Sequence, residues 1–532
     1  MRPEEARRVP EPVPEPHAVL PLTAFDRVYE QTTFVIGWVV EGDIDIAALE
    51  GALTRVTRKW RILSGRMELL KTNKGSQWRL RIPLGDIPQT FPKFTLTGAE
   101  SEKPLSKYIP GLADIGALNP FRLGPSASAL NHLFVHPSTP RCYAVYESTV
   151  HPLTSWHVTR FPGTLSEEGR SYICIGFSRC GIFDDVGAGL ILRALMAEMS
   201  SSPWHAPPLP SWGVNENPLQ RALDKEMVKF QVPLPGDREY VGFSTLSMMQ
   251  AWRMILWHVK QKQSKGACPK SHYLRSAFVT SVLDNTRKEL QERDHNDVLV
   301  SDENIVFAWI ISTLYDGKID VMFKGSILKR KIAIHNFASF RPLFCSDSDE
   351  MTLENYPFNA SIPVPCPIFT MEEISVFPVA DIARILATWR STFSRTHVVL
   401  TYEALQSSAR TFPFDPNADE TLCLADLSEC RFAEMDWRHI GAQLTLALSH
   451  FHLTPNDFIW TNSACIIGKL TDGSILLDSI LADLPLRKLE IEATTNHQLS
   501  PILPAVDFNL DFVKNKHSDV LDGHSTRKSS LI

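Results

Sequence analysis

The chain has 532 residues, 44% of them apolar and 21% charged, with a net charge of −6. That balance belongs to a folded globular protein of two to four domains and excludes a largely disordered chain. A nucleic-acid binder would carry a basic excess or stripe, and the longest apolar runs fall far short of the ~20 residues that span a bilayer.

Residues 1–16, MRPEEARRVPEPVPEP, are rich in Pro and Glu and read as a disordered leader without the apolar core of a secretory signal, so a cytoplasmic protein is expected. Thr33 to Val40 is an apolar strand. Asp45 can then cap a helix whose Ile46, Leu49, Leu53, Val56 and Trp60 share one face at three- and four-residue spacing. LSGRMELL and QWRLRIPLG read as short strands, as do YAVYES (143–148) and SYICIGF (171–177). The Pro-rich stretch 200–240 marks the end of a first domain. LSMMQAWRMILWHV is helical, and Ser301 caps a second-half helix with an inward stripe of Val306, Trp309, Ile310 and Leu314. KIAIHNFASFRPLF is a strand leaving through a turn, IARILATWRSTFSR is helical, and the last 60 residues have weak periodicity. Trp38, Trp60 and Trp309 are expected in the core. The outcome is a mixed α/β (α+β) protein with a leader 1–16, a domain 17–215, a connection 216–269 and a domain 270–532.

Nine cysteines without a CxxC pair read as reduced thiols, most of them buried. Seventeen histidines show no HExxH or other metal spacing, and GAG at 187–189 lacks the partners of a nucleotide-binding fingerprint, so no metal and no nucleotide loop are expected.

Residues 176–190, GFSRCGIFDDVGAGL, place a polar elbow, two adjacent aspartates and two glycines between a strand and a helix. Four stretches in order carry a resemblance: AALEGALTRVTRKWRILSGRM, this elbow, SDENIVFAWI and HNFASFRPLF. Together they resemble the BAHD superfamily of acyl-CoA-dependent acyltransferases, in its fungal trichothecene acetyltransferase-like branch. The elbow stands where that family has His-x-x-x-Asp followed by glycine. The resemblance implies two chloramphenicol-acetyltransferase-like domains with a tunnel at their interface. It also implies O-acylation, in the first place acetylation, of a secondary-metabolite hydroxyl such as a terpenoid or polyketide. Acyl-CoA would be a co-substrate and no cofactor would be permanently bound. The partners would be a small-molecule alcohol and the thioester, acting on a monomer.

By the same resemblance Asp184 and Arg341 form a pair that orders the loop, while Gly187 and Gly189 shape the start of the following helix. The family's histidine, which takes the acceptor's proton, is here Cys180, preceded by Arg179. Several readings stay open: an inactive relative serving as a binding protein; a thiol activated by Arg179 as nucleophile or base; another group in place of the histidine; or a buried filler in an unrelated fold. His151, His157 and His335 are weighed as substitutes, each more readily a structural histidine. The family's second motif corresponds to TPNDFIWTNSACIIGKLTDGS, with Asn462, Ser463, Asp472 and Gly473 along the substrate and CoA channel and Asn462 or Ser463 as oxyanion donors. Asp507-Phe508-Asn509 is a weaker match, with too little chain behind it, and the divergent C-terminus is itself in question.

Overall fold

A computed structural model describes residues 16–495 apart from 73–74, 89, 110–120, 124–129, 164–169, 208–215, 230–241, 294–297, 316–327, 345–352 and 365. The leader up to Glu15 and Asp507-Phe508-Asn509 lie outside the described residues.

Two large sheets organise the chain. The first has five strands in the order Ala442–Leu453, Thr33–Gly42, Tyr172–Cys180, Thr154–Phe161, Thr95–Glu100. Its inner strands read as nearly continuous apolar runs, because both faces are covered: all nine residues of Tyr172–Cys180 are buried. On one face lie the helices Ile46–Lys59 and Asp185–Met199, packed against each other. Asp45 caps the first of them by accepting the Ala48 N–H at 3.0 Å, and Leu49, Leu53 and Val56 point inward.

The second sheet has eight strands, with Lys331–Ser339, Glu420–Asp426 and Ser463–Lys469 parallel at its centre and the antiparallel strand Ile475–Leu481 beyond. Helix Asp302–Tyr315 covers it. This helix is apolar on nearly every side, from Ile305 to Ile311, and is therefore enclosed by the helices Ser276–Glu292, Val379–Ser391 and Asp483–Thr495. Trp38, Trp60 and Trp309 are all buried.

The two halves of the chain trade strands. Ala442–Leu453 pairs antiparallel with Thr33–Gly42 and so completes the first sheet from the second half. Phe121–Leu123, from the first half, pairs with Cys268–Leu274 in the second sheet. A division at 17–215 and 270–532 is thus crossed in both directions. Across this seam Trp38 donates its indole N–H to the Phe432 carbonyl at 3.2 Å and meets Trp437 edge-on at 5.3 Å.

One element corrects the sequence reading. YAVYES forms the helix Tyr143–Ser148, not a strand. Strand alternation would send Tyr143 and Tyr146 to opposite faces, whereas both are fully buried, and three-residue spacing on a helical turn puts them on one side. No described helix is long and apolar enough to cross a membrane.

Candidate active site at the seam of the two sheets

Strand Tyr172–Cys180 ends at the elbow, and Asp184 begins the next helix as its N-cap. Asp184 Oδ1 accepts the Gly187 N–H at 2.9 Å, meeting the need of the helix start for an acceptor and a negative charge. The same oxygen accepts from Arg341 Nη2 at 2.8 Å, and Oδ2 accepts the Ala360 N–H at 3.0 Å. Arg341 spends its other donors on the carbonyls of Tyr356 at 2.9 Å and Phe358 at 2.6 Å and on the Ser339 hydroxyl at 3.2 Å. Both side chains are almost dry, at 3% and 10% exposure. Asn359 adds a second clasp: its amide donates to the carbonyls of Gly181 at 2.8 Å and Ile182 at 3.1 Å and to Asp26 Oδ1 at 3.1 Å. The elbow is therefore tied to Arg341, Asn359 and Ala360 of the second half.

The two glycines follow from close approach. A Cβ on Gly187 would stand 1.9 Å from the Pro357 carbonyl oxygen, and one on Gly189 would stand 2.7 Å from that of Cys430. The helix enters against backbone, and only glycine leaves room.

Cys180 lies in the core. Its side chain has no exposure, it packs in the apolar cluster that holds Tyr143, Tyr146 and Leu153, and burial pushes its thiol well above the ordinary range. A thiol so placed is neither a thiolate nucleophile nor a base at neutral pH. Arg179 does not activate it. Successive strand residues face opposite ways, and the Arg179 guanidinium donates to Asp185 Oδ1 and to the Phe183 carbonyl, with the Phe34 ring 4.9 Å beneath it. The activated-thiol reading is corrected accordingly.

The other weighed histidines are structural. His157 bonds Thr97 at 2.8 Å, and burial lowers it to about 4. His151 bonds the Pro152 carbonyl at 2.8 Å and is lowered by burial. His335 is buried and lowered to about 3.

In the second sheet Asn462 donates its amide to Tyr315 Oη, Glu420 Oε1 and the Thr421 carbonyl at 2.9–3.1 Å. Its donors are taken, which removes it as an oxyanion donor. Ser463 is half-buried at the start of strand Ser463–Lys469. Asp472 and Gly473 close the hairpin after that strand: Gly473 has φ +87°, and Asp472 accepts from the Ser474 N–H and hydroxyl at 2.9 Å each. Their geometry is accounted for by a tight turn, and the structure does not draw them into the elbow.

Three residues of this neighbourhood carried no assignment from sequence. They are Asp185, Asn359 and His450. The doubled aspartate was visible, but its division of labour was not: Asp184 faces Arg341, while Asp185 faces Arg179 and His450.

No family model matches this sequence, and no curated protein does. Solved structures do. TRI101 of F. graminearum complexed with coenzyme A and deoxynivalenol aligns with a TM-score of 0.58 and 13% identity, over 89% of this chain and 97% of that one. TRI101 of F. sporotrichioides complexed with coenzyme A and T-2 gives 0.56 and 14%, over 88% and 96%. Vinorine synthase gives 0.54 and 13%, over 91% and 95%. The chain shares their fold. It is a two-domain, chloramphenicol-acetyltransferase-like α/β fold, and the elbow at 181–184 is bonded across the seam between its two halves.

Proposed function

We infer that this protein transfers an acyl group, most simply acetyl, from coenzyme A to a hydroxyl of a small molecule of terpenoid or polyketide type, acting as a monomer. The observation that carries the reading is the buried clasp of Asp184 and Arg341. It fixes the elbow between the two halves of a fold shared with TRI101, which was crystallised with coenzyme A together with deoxynivalenol in one case and T-2 in another. Asp184, Arg341, Gly187 and Gly189 act as loop-shaping residues, while Ser463 is the remaining candidate for steadying the oxyanion. In the reaction the acceptor oxygen attacks the thioester carbon, the carbon–sulfur bond breaks, and the hydroxyl proton ends on the coenzyme A thiol.

The burial of Cys180 favours a second reading, a relative that binds acyl-CoA or its acceptor without turnover. One experiment separates the two: release of free coenzyme A thiol from acetyl-CoA, followed with a panel of alcohols for the wild type and Cys180→His, alongside acetyl-CoA binding by calorimetry. Alcohol-dependent thiol release by the wild type supports the transferase. Binding without release, restored by Cys180→His, supports the disarmed relative.

A further inference from the structure

With Cys180 sealed in the core, the elbow needs another proton acceptor if it is to serve an acyl transfer. Strand Ala442–Leu453, the one that crosses from the second half into the first sheet, brings a histidine beside it. His450 Nε2 lies 2.9 Å from Asp185 Oδ1, and Asp185 is the residue that follows the N-cap Asp184. The same Asp185 oxygen also accepts from Arg179, whose guanidinium has no exposure. Burial pushes the Asp185 carboxyl up, but His450 and Arg179 outweigh it and hold the group at about 2, so it stays ionised. The imidazole lies nearly parallel to the rings of Phe34 and Phe432, at 16° and 13° and 6.3 Å from each. Its backbone N–H donates to Asp478 Oδ2, from the second sheet, at 2.7 Å. The ring therefore sits on the seam with 14% exposure, oriented from both sheets.

We propose that His450, oriented by Asp185 and Arg179, is the general base of this site and takes the place of the absent motif histidine. The inference rests on the transferase reading above. Nε2 faces the carboxylate, so the neutral ring carries its proton there and leaves a lone pair on Nδ1, for which the described residues offer no hydrogen bond. The ring N–H is not aligned with the carboxylate. Such bonds commonly tighten only when substrate is bound. Nδ1 accepts the acceptor's hydroxyl proton as its oxygen bonds to the thioester carbon. The same proton passes to the departing coenzyme A sulfur as the carbon–sulfur bond breaks, leaving ester, free thiol and neutral histidine. The arrangement is that of an imidazole steadied by a partly buried carboxylate, reached here from a different strand. Asp185, Asp478 and His452 interact electrostatically with the ring, and Arg179, Tyr29, Cys430 and Cys465 with Asp185.

The test measures acetyl transfer to an accepted alcohol as a function of pH, with acetyl-CoA affinity measured separately, for the wild type, His450→Gln, Asp185→Asn and Cys180→Ala. The expected result for His450→Gln is a fall in kcat of about 100-fold or more with unchanged acetyl-CoA affinity and loss of the acidic limb of the kcat/KM profile. Asp185→Asn should lose less and move that limb to lower pH, because the carboxylate no longer favours the charged ring. Cys180→Ala should transfer at nearly the wild-type rate. Should His450→Gln misfold, the limb in the wild type and its shift in Asp185→Asn decide the matter alone. Transfer by His450→Gln within about threefold of wild type, or an acidic limb unmoved in Asp185→Asn, overturns the assignment while leaving the transferase reading intact. A wild type that binds acetyl-CoA and transfers to no alcohol overturns both.

Discussion

Arg341 joins the two halves through its bond to Asp184, is anchored on its own side by Ser339 and the carbonyls of Tyr356 and Phe358, and is almost unexposed. Removing one partner of such a pair strands the other as a buried charge, at a cost of about 3–5 kcal/mol. Arg341→Ala should therefore lower the unfolding free energy by that order in a denaturant titration, and adding Asp184→Ala should recover part of the loss. The two residues stand 157 positions apart, so no local pattern in the sequence links them; only a likeness along the whole chain can. A second prediction concerns Asp478. Burial outweighs the His450 N–H and raises this carboxyl from 3.8 to about 6. The folded state then holds a proton that the unfolded state has released between pH 4 and 6, so its contribution is present below pH 4 and lost as pH rises through 6. Asp478→Asn should flatten the decline in stability over that window by about 2–3 kcal/mol.

At the scale of elements, the two glycines of opposite character make a matched pair of variants. Gly187→Ala drives a methyl into the Pro357 carbonyl and should cost about 2–3 kcal/mol or more, with much of the protein insoluble. Gly51→Ala, inside helix Ile46–Lys59, meets only the flexible end of Arg55 at 3.3 Å and should raise the melting temperature, consistent with a gain of up to about 1 kcal/mol. Thermal melts of the two variants check both signs. Elements with strong periodicity and a cap, such as Ile46–Lys59 and Asp302–Tyr315, were legible because one face or the whole surface is apolar and an Asp or Ser precedes it. Tyr143–Ser148 was not, since six residues rich in aromatic and β-branched types fit a strand until the environment of both tyrosines is known. His450 escaped notice for a similar reason. Its strand reads as an alternating run, and which histidine of 450 and 452 meets a carboxylate depends on its register against Thr33–Gly42.

For the whole molecule, the traded strands set the behaviour of unfolding. Each large sheet contains a strand from the other half, so neither half buries its backbone polar groups alone. Calorimetry should show one transition for the described body, and a fragment spanning 17–215 should lack a cooperative melt. Two separable transitions would contradict the exchange. Sequence could suggest two halves from the Pro-rich stretch at 200–240, but long-range pairing leaves no compositional mark.

That exchange also bears on how the protein is made. Strand Thr33–Gly42 leaves the ribosome about 400 residues before its partner Ala442–Leu453 exists. At roughly 5–20 residues per second the nascent chain carries one open β edge for on the order of 20–80 s. Those are conditions in which holding chaperones engage, and any truncated product ending before residue 442 would present the same bare edge to its neighbours.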